Sequence, residues 1–292
     1  MLINSNTSFE KYLTYSGVPK GCDALLLAEL VKQEHIKSPQ PVLVITGDDA
    51  DMISTADAIS FFGAEITVLT LSAWDCLPYD RVPPRHDIMA QRLATLSCLV
   101  NSGLIGPTVV VTTAAAVLQK MPNKEVITKN HFSANIGDTI DIEYLNSYLV
   151  SNGYLRTETV REPGEYAVRG GIIDIYPAGI ENPLRLDLFG DTIEYIRSFD
   201  ALTQRSISEL KSFNLTPANE IIISDGSWEM FRNKYREVFG PVKNNDHLFE
   251  AISSKNRHPG MEHWAPLFYE SMSSIFDYVS GNIILGLQAE EA

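Results

Sequence analysis

The sequence has few of the residues that build metal and disulfide sites. Its three cysteines, Cys22, Cys76 and Cys98, are widely spaced, and an odd number without a C-x-x-C pair argues against a disulfide framework or a zinc site. The six histidines form no H-E-x-x-H pattern. No metal and no other cofactor is therefore expected in this chain.

Long apolar runs are also missing. No stretch reaches the roughly 18 apolar residues that a membrane helix needs, and the polar residues 1–10 do not resemble a secretory signal. These two absences predict a cytoplasmic protein that does not bind membranes.

Positive charge is scarce. Lysine and arginine number 23 against 37 acidic residues, which gives a net charge of −14. A strongly acidic surface repels the phosphate backbone of nucleic acids. The chain is therefore expected to bind DNA weakly or not at all, although a local basic patch is compatible with this charge.

Catalytic patterns are absent as well. The carboxylates form no pair whose spacing suggests acid–base chemistry, and no serine or cysteine nucleophile motif is present. The three tryptophans, Trp74, Trp228 and Trp264, are interpreted as packing residues and not as part of a cofactor site. The sequence thus predicts a chain that is not itself an enzyme.

The composition that is present is ordinary for a globular protein. Hydrophobic residues make up 45% of 292 positions, which suits two or three domains with proper cores. Strand-like apolar runs alternate with helical patterns in the first third, and this alternation predicts a parallel sheet covered by helices over residues 1–119. The strands are expected at 41–46, 65–71 and 109–112, and the helices at 24–31, 52–62 and 87–100.

The middle third predicts a second, α+β domain over residues 120–217. A helix is expected at 141–152, ended by Gly153, and strands follow it. Leu184, Leu186 and Leu188 alternate with polar residues as core positions of a strand, and Gly190-Asp191 is typical of a tight hairpin turn.

The last third, residues 218–292, is less regular and predicts a smaller C-terminal domain with one clear helix at 228–239. Residues 288–292 complete no recognisable element. We therefore expect that the chain is cut off before the natural end of this domain.

Two long stretches carry a family resemblance. They are Trp74–Asp80 with Pro84, Asp87-Ile88 and Arg92–Leu96, and Gly164–Pro177 continuing through Pro183–Asp191 to Phe199–Ser206; a third match is Gly260–Phe268. Together these stretches resemble the N-terminal module of the bacterial transcription-repair coupling factors, the Mfd family. That module is itself similar to the repair helicase subunit UvrB.

The resemblance implies both a fold and a function. The expected fold is α/β, with a parallel-sheet, degenerate P-loop-like domain (1a), an inserted α+β domain like domain 2 of UvrB, and a smaller C-terminal domain (1b). Proteins of the family recognise a stalled RNA polymerase, push it off DNA with an ATP-driven translocase and recruit the excision-repair protein UvrA. The α+β domain is the recruiting part, and contacts with RNA polymerase and DNA belong to parent domains that this chain lacks.

The resemblance also points to a phosphate loop that has lost its chemistry. UvrB carries G-x-x-x-x-G-K-[ST] there, whose lysine and hydroxyl hold nucleotide phosphates and magnesium. The matching segment, Gly17–Asp23, is one residue short and has Cys22 and Asp23 where lysine and serine or threonine are needed. A carboxylate at that place repels phosphate, so we expect no nucleotide binding.

A second comparison with UvrB concerns DNA. UvrB inserts a long aromatic β-hairpin that probes damage, and the path from Tyr79 to Asp87 is too short to hold one. Arg81, Arg85 and His86 in this path could contact a phosphate, but basic groups in an acidic chain more often pair with carboxylates.

The site expected to bind UvrA includes Arg156 and Arg169, which occupy the positions of UvrA-contacting arginines in UvrB. Ile173 and Tyr176, on the same strand segment as Arg169, could add apolar contact. Arginine suits a protein interface because its planar guanidinium makes paired hydrogen bonds to carboxylates. The alternative for Arg169 is a structural ion pair with Glu165 or Asp174. For Ile173, a core position is as well supported as a contact.

Three functions are weighed on this basis. The favoured one is a non-enzymatic adaptor that binds UvrA. The second is an ATP-dependent helicase subunit like UvrB, against which the altered phosphate loop and the absence of motor motifs argue. The third is a structural part that restrains the motor of the parent protein.

Overall fold

The computed structural model describes residues 13–19, 21–77, 82–101, 104–242, 246–281 and 283–286 of the chain. These residues form two compact units. The first unit takes the described residues up to Thr70, residues 104–114 and the described residues from Ser280 onward. The second unit takes the described residues between 71 and 101 and those between 115 and 279.

The first unit is built on a four-stranded sheet. Its strands are β1 (Val42–Thr46), β2 (Thr67–Leu71), β3 (Thr108–Thr113) and β12 (Ile283–Leu285), and its helices are α1 (Asp23–Lys37) and α2 (Asp49–Phe62). The strand order is β12-β1-β3-β2. β1 runs parallel to both neighbours, with Val44 opposite Val111 of β3 and Ile284 of β12. The expected parallel sheet is therefore confirmed.

The apolar sequence of the central strands explains their position. All residues of β1 and β3 are buried, as is usual for β-branched runs covered on both faces. α2 begins after Asp48, whose side chain accepts a hydrogen bond from the backbone N–H of Asp51 at 2.8 Å, and it ends before Gly63, as the pattern predicted. Its buried residues Met52, Ala56 and Ile59 join Ala24, Ala28 and Val31 of α1 in the core.

The second unit is larger and mixed. Its helices are α3 (His86–Asn101), α4 (Ala114–Leu118, beginning at the boundary of the units), α5 (Lys124–Lys129), α6 (Ile142–Ser151), α7 (Asp225–Phe239), α8 (His247–Ser253) and α9 (Ile275–Tyr278), with a 3-10 helix at Met261–Leu267. Its strands are β4 (Phe132–Asn135), β5 (Leu155–Arg156), β6 (Glu165–Arg169), β7 (Ile172–Ile175), β8 (Leu184–Phe189), β9 (Thr192–Phe199), β10 (Ser206–Leu210) and β11 (Ser212–Leu215).

Six of these strands form one sheet in the order β10-β9-β8-β7-β6-β5, and β11 pairs with β4 in a second sheet. β5 is parallel to β6, and the other neighbours in the six-stranded sheet are antiparallel. β8 and β9 form the predicted hairpin, and Gly190 at its turn has a φ of 63°, which favours glycine. The predicted helix at 141–152 is also present: α6 follows Asp141, whose carboxylate caps it.

One face of the six-stranded sheet covers the main core of the second unit. Leu184 and Leu186 are buried there, as the alternation predicted, and Leu188 packs against the same cluster. A separate aromatic core contains Trp228, Phe231, Tyr235, Phe249 and Phe268. Burial of Trp228 agrees with its interpretation as a packing residue.

The contact units differ from the expected domain limits. α3 clusters with the second unit, although it lies within residues 1–119, and the residues from Ser280 onward cluster with the first unit, although they lie within 218–292. The division at 119 and 217 stays a prediction. Residues 288–292 lie outside the described residues. Within the described part of the chain, no helix is long and apolar enough to cross a membrane.

Candidate partner-binding site

Arg169 stands at the end of β6, where Gly170 turns the chain toward β7 with a φ of 61°. Its Nη2 donates a hydrogen bond to Oδ2 of Asp174 at 2.6 Å. The side chain of Arg169 is 52% exposed, whereas that of Asp174 is 0% exposed. The ion pair weighed as an alternative from the sequence is therefore present, with Asp174 as the partner. It still leaves about half of the arginine side chain at the surface.

Asp174 is shared between two arginines. Arg185, which lies opposite it on β8, donates from Nε to Oδ1 at 2.7 Å and from Nη2 to Oδ2 at 2.9 Å. This hydrogen bonding raises the pKa of Arg185. The guanidinium of Arg185 also lies 4.6 Å from the ring centroid of Phe199, an arrangement that holds it in place. Asp174 is thus anchored without the help of Arg169.

The same face of the sheet continues as a ladder of paired charges. Arg197 on β9 donates from Nη1 to the carboxylate of Asp187 and lies near Glu209 of β10, with 3.6 Å between Nε and Oε1. Its guanidinium is 4.4 Å from the ring centroid of Tyr195. Such cross-strand pairs stabilise a sheet modestly. They make this side of the sheet charged beside a small buried cluster of Val160, Ala167 and Phe199, while the opposite side covers the main core. We call the side with the charged pairs the charged face.

Arg156 lies on β5, the short strand at the edge of the sheet, and is exposed. It stands beside Tyr166 of β6 in the parallel register. Because Tyr166 points into the main core and side chains alternate along a strand, Arg156 is on the core side of the sheet and Arg169 is on the charged side. The fold brings both arginines to neighbouring strands but not to a common face.

The contact role expected for Ile173 is wrong for this fold. Its side chain is only 1% exposed and lies in the main core together with Ile175. The two-residue period of β7 puts Ile172, which is 38% exposed, on the side of Arg169 instead. The alternative, a core position for Ile173, is the one that the structure has. Tyr176 is partly buried, and its hydroxyl donates to the backbone oxygen of Glu181 at 2.7 Å.

Two glycines precede α1 in the segment that is expected to match a phosphate loop. Gly17 and Gly21 both have positive φ values, 76° and 86°, and the N–H of Cys22 donates to the backbone oxygen of Pro19 at 2.9 Å. Asp23 is the first residue of the helix. A carboxylate there interacts favourably with the N–H groups of the first turn. Lys20, which precedes the second glycine of this segment, lies outside the described residues.

The basic path before α3 is only partly described, since Tyr79 and Arg81 lie outside the described residues. Arg85 contacts the carboxylate of Asp87 through Nη2, and its backbone N–H donates to Oδ1 of Asp75 at 3.0 Å. The arginine of this path that the structure describes is therefore paired with a carboxylate.

Sequence reasoning missed a buried polar network in the second unit. Nε of Arg92 in α3 donates to Oε1 of Glu220 at 2.5 Å, and both side chains are 0% exposed. Nε1 of Trp74 donates to the same oxygen at 3.0 Å, and Nη1 of Arg92 donates to Oε1 of Gln119 at 3.1 Å. The hydroxyl of Tyr269, whose pKa is raised by burial, donates to the backbone oxygen of Glu220. Trp74 and Arg92 both belong to the first stretch of family resemblance. No local sequence pattern, however, predicts that they contact Glu220.

The comparisons with known proteins first define the class of the α+β part. The model of the UvrB interaction domain family matches residues 132–221. This range contains α6, the whole six-stranded sheet and Glu220.

The relatives then define the particular protein family. The chain is 33% identical to the transcription-repair-coupling factor of Haemophilus influenzae over 260 residues, 89% of this chain. It is 32% identical to that of Escherichia coli over 263 residues and 29% identical to that of Bacillus subtilis over 262 residues. The chain spans about a fifth of the length of these relatives, 22% in each case. The expected resemblance to the N-terminal module of the transcription-repair coupling factors is thus confirmed.

Proposed function

We propose that this chain is a protein-binding module that recruits UvrA in transcription-coupled nucleotide excision repair. The observation that carries the proposal is the match of residues 132–221 to a UvrB interaction domain, in a chain whose relatives are named transcription-repair-coupling factors. Recruitment by a non-enzymatic adaptor needs an exposed, rigid contact surface. On the charged face of the six-stranded sheet, the half-exposed Arg169 and its neighbour Ile172 supply part of such a surface.

Arg169 is the residue of this face that suits a partner carboxylate best. One of its nitrogens is engaged by Asp174, and about half of the side chain is exposed. A guanidinium can make two parallel hydrogen bonds to a carboxylate. Because Asp174 is fixed independently by Arg185, Arg169 is held in one position before the partner arrives, and less entropy is lost on binding.

Arg156 requires a partner that reaches around the edge of the sheet. β5 is the last strand in the sheet order, and Arg156 and Arg169 lie on neighbouring strands, on opposite sides of the sheet. A partner surface that covers the β5 edge contacts both. We therefore propose that UvrA grips this edge instead of lying flat on one face.

The finer assignments of the fold belong to the same proposal. We assign residues 1–119 to a degenerate P-loop-like domain 1a, 120–217 to the UvrA-binding domain 2 and 218–292 to a third UvrB-like subdomain 1b. The parallel sheet and the glycine turn before α1 support the first assignment. In this proposal the chain catalyses nothing, acts in the cytoplasm, and leaves contacts with RNA polymerase and DNA to the other parts of a longer coupling factor.

The proposal is tested by biolayer interferometry with immobilised chain and UvrA from the same organism. We expect saturable binding that Arg169→Ala weakens. Arg236→Ala, which removes an exposed arginine on α7 outside residues 132–221, is the matched control and should leave binding unchanged. Absence of binding by the unmodified chain would refute the proposed function.

A further inference from the structure

The outer face of α2, in the first unit, carries a row of exposed apolar side chains. Ala50, Ile53 and Phe61 share one side of the helix at spacings of three or four residues, with the charged Asp57 standing between Ile53 and Phe61. Ile53 is 55% exposed and Phe61 is 80% exposed. The other side of α2 is buried in the core. We call this row, together with Ser54 and Phe62, the α2 surface.

The α2 surface is a continuous feature and not a set of scattered residues. Single exposed apolar side chains are common in globular proteins. Here the residues line one shallow depression along the helix, and at its end the rings of Phe61 and Phe62 pack edge to face with centroids 5.1 Å apart. From Ala50 to Phe61 the helix rises about 16 Å, the length of three helical turns.

Negative charge lies at one end of this surface and within it. Asp48, Asp49 and Asp51 lie at the start of α2, and Asp57 interrupts the apolar row. The sequence has no lysine, arginine or histidine between Lys37 and Arg81. On the neighbouring helix α1, the amine of Lys32 contacts the carboxylates of Glu29 and Glu65, at 3.0 and 2.9 Å, so its charge is balanced locally.

We propose that the α2 surface binds an amphipathic basic helix of a partner protein. An apolar strip about three turns long accepts apolar side chains at positions i, i+3 or i+4, and i+7 of a docked helix. The aspartates select a helix with lysine or arginine at the flanks, because complementary charge favours the right partner and repels acidic ones. The same charge disfavours nucleic acid and anionic lipid. The α2 surface belongs to the first unit, and this proposal does not depend on UvrA binding.

Fluorescence anisotropy with a designed probe tests the proposal. The probe is a labelled helical peptide of about 16 residues with leucine on one face and lysine on the other, and its counterpart carries glutamate in place of lysine. We expect saturable binding of the lysine peptide alone. Phe61→Ser and Ile53→Ser should each weaken it at least about tenfold, as for apolar anchors of an interface. Asp57→Asn should weaken it less and reduce its dependence on salt.

Ile36→Ser is the matched control, since Ile36 is an equally exposed apolar residue, 83% exposed, on α1. It should leave peptide binding unchanged, and none of these variants should lower the thermal midpoint. Failure of the lysine peptide to bind, or equal binding to the Phe61→Ser variant, would overturn the proposal. Self-association in sedimentation velocity that Phe61→Ser abolishes would also overturn it, because the surface would then serve a second copy of this chain.

Discussion

Two arginine–carboxylate pairs in the second unit have the same chemistry and opposite exposure. Arg92 and Glu220 are both 0% exposed, whereas Arg169 is 52% exposed above an Asp174 that is 0% exposed. Removing one partner of a buried pair leaves an uncompensated charge in the interior, which costs several kcal/mol. A half-exposed arginine returns to water without that cost. The Arg92–Glu220 pair therefore stabilises the fold, whereas the Arg169–Asp174 pair presents a positive charge at the surface.

The two pairs also differ in what surrounds them. Glu220 accepts hydrogen bonds from both Trp74 and Arg92. Among the described contacts, no other carboxylate pairs with Arg92. Asp174, in contrast, has Arg185 as a second, bidentate partner. Loss of Arg169 therefore leaves Asp174 satisfied, while loss of Arg92 leaves Glu220 with no cation among its described contacts.

The largest expected effect is on stability, from Arg92→Ala. Because Glu220 stays buried without a counter-charge, the variant should lose about 3–5 kcal/mol of unfolding free energy. Urea denaturation followed by circular dichroism measures the loss, with Arg236→Ala as the exposed control. A loss close to that of the control would show that the buried pair does not hold this part of the fold.

The burial of Ile173 can be tested by comparison with its neighbour Ile172. Ile173→Ala should lower the unfolding free energy by about 2–5 kcal/mol, as expected for truncation of a buried isoleucine. Ile172→Ala, on the exposed side of the same strand, should change it much less. Equal effects of the two variants on stability would contradict the assignment of the two faces of β7.

Arg169→Ala and Arg156→Ala should act on binding and not on stability. Truncating an arginine that dominates an interface costs at least about 2 kcal/mol, roughly thirtyfold in affinity for UvrA. The thermal midpoint of both variants should be nearly unchanged, because Arg156 is exposed and Asp174 keeps Arg185. A lowered thermal midpoint of the Arg169→Ala variant would show that Arg169, like Arg92, stabilises the fold.

Duplex DNA should bind weakly at physiological salt. The net charge of −14 repels phosphate, and the described Arg85 of the basic path contacts Asp87. Fluorescence anisotropy with a labelled duplex should give a dissociation constant no tighter than about 10⁻⁶ M, within the usual non-specific range. Tighter binding would show a basic patch that the overall charge conceals.

ATP should produce no heat of binding with this chain. In the proposed match to a phosphate loop, Asp23 replaces the serine or threonine, and its carboxylate lies in the first turn of α1. A helix N-terminus binds anions through its N–H groups and its dipole, and the negative charge of Asp23 opposes a phosphate at that place. Isothermal titration with ATP and magnesium is the measurement, and UvrB is the positive control. Micromolar affinity would favour the helicase alternative.

Local sequence determined the individual elements well. The cap at Asp141 of α6, the glycine that ends α2 and the hairpin turn at Gly190 depend on residues within a few positions of one another. Alternation of apolar segments was enough to predict the parallel sheet, because strands covered on both faces need continuous apolar runs.

The sequence by itself also showed the resemblance to the transcription-repair coupling factors and predicted Arg156 and Arg169 as partner-binding residues, since motifs are recognised residue by residue. Only the tertiary structure decided which face of β7 is buried, because a two-residue period has no preference between its two sides until another layer covers one of them. It alone joined Arg92 to Glu220, 128 residues apart, and brought β12 back to β1. Contacts of this kind are set by how the chain returns on itself, and local propensity contains no information about that return.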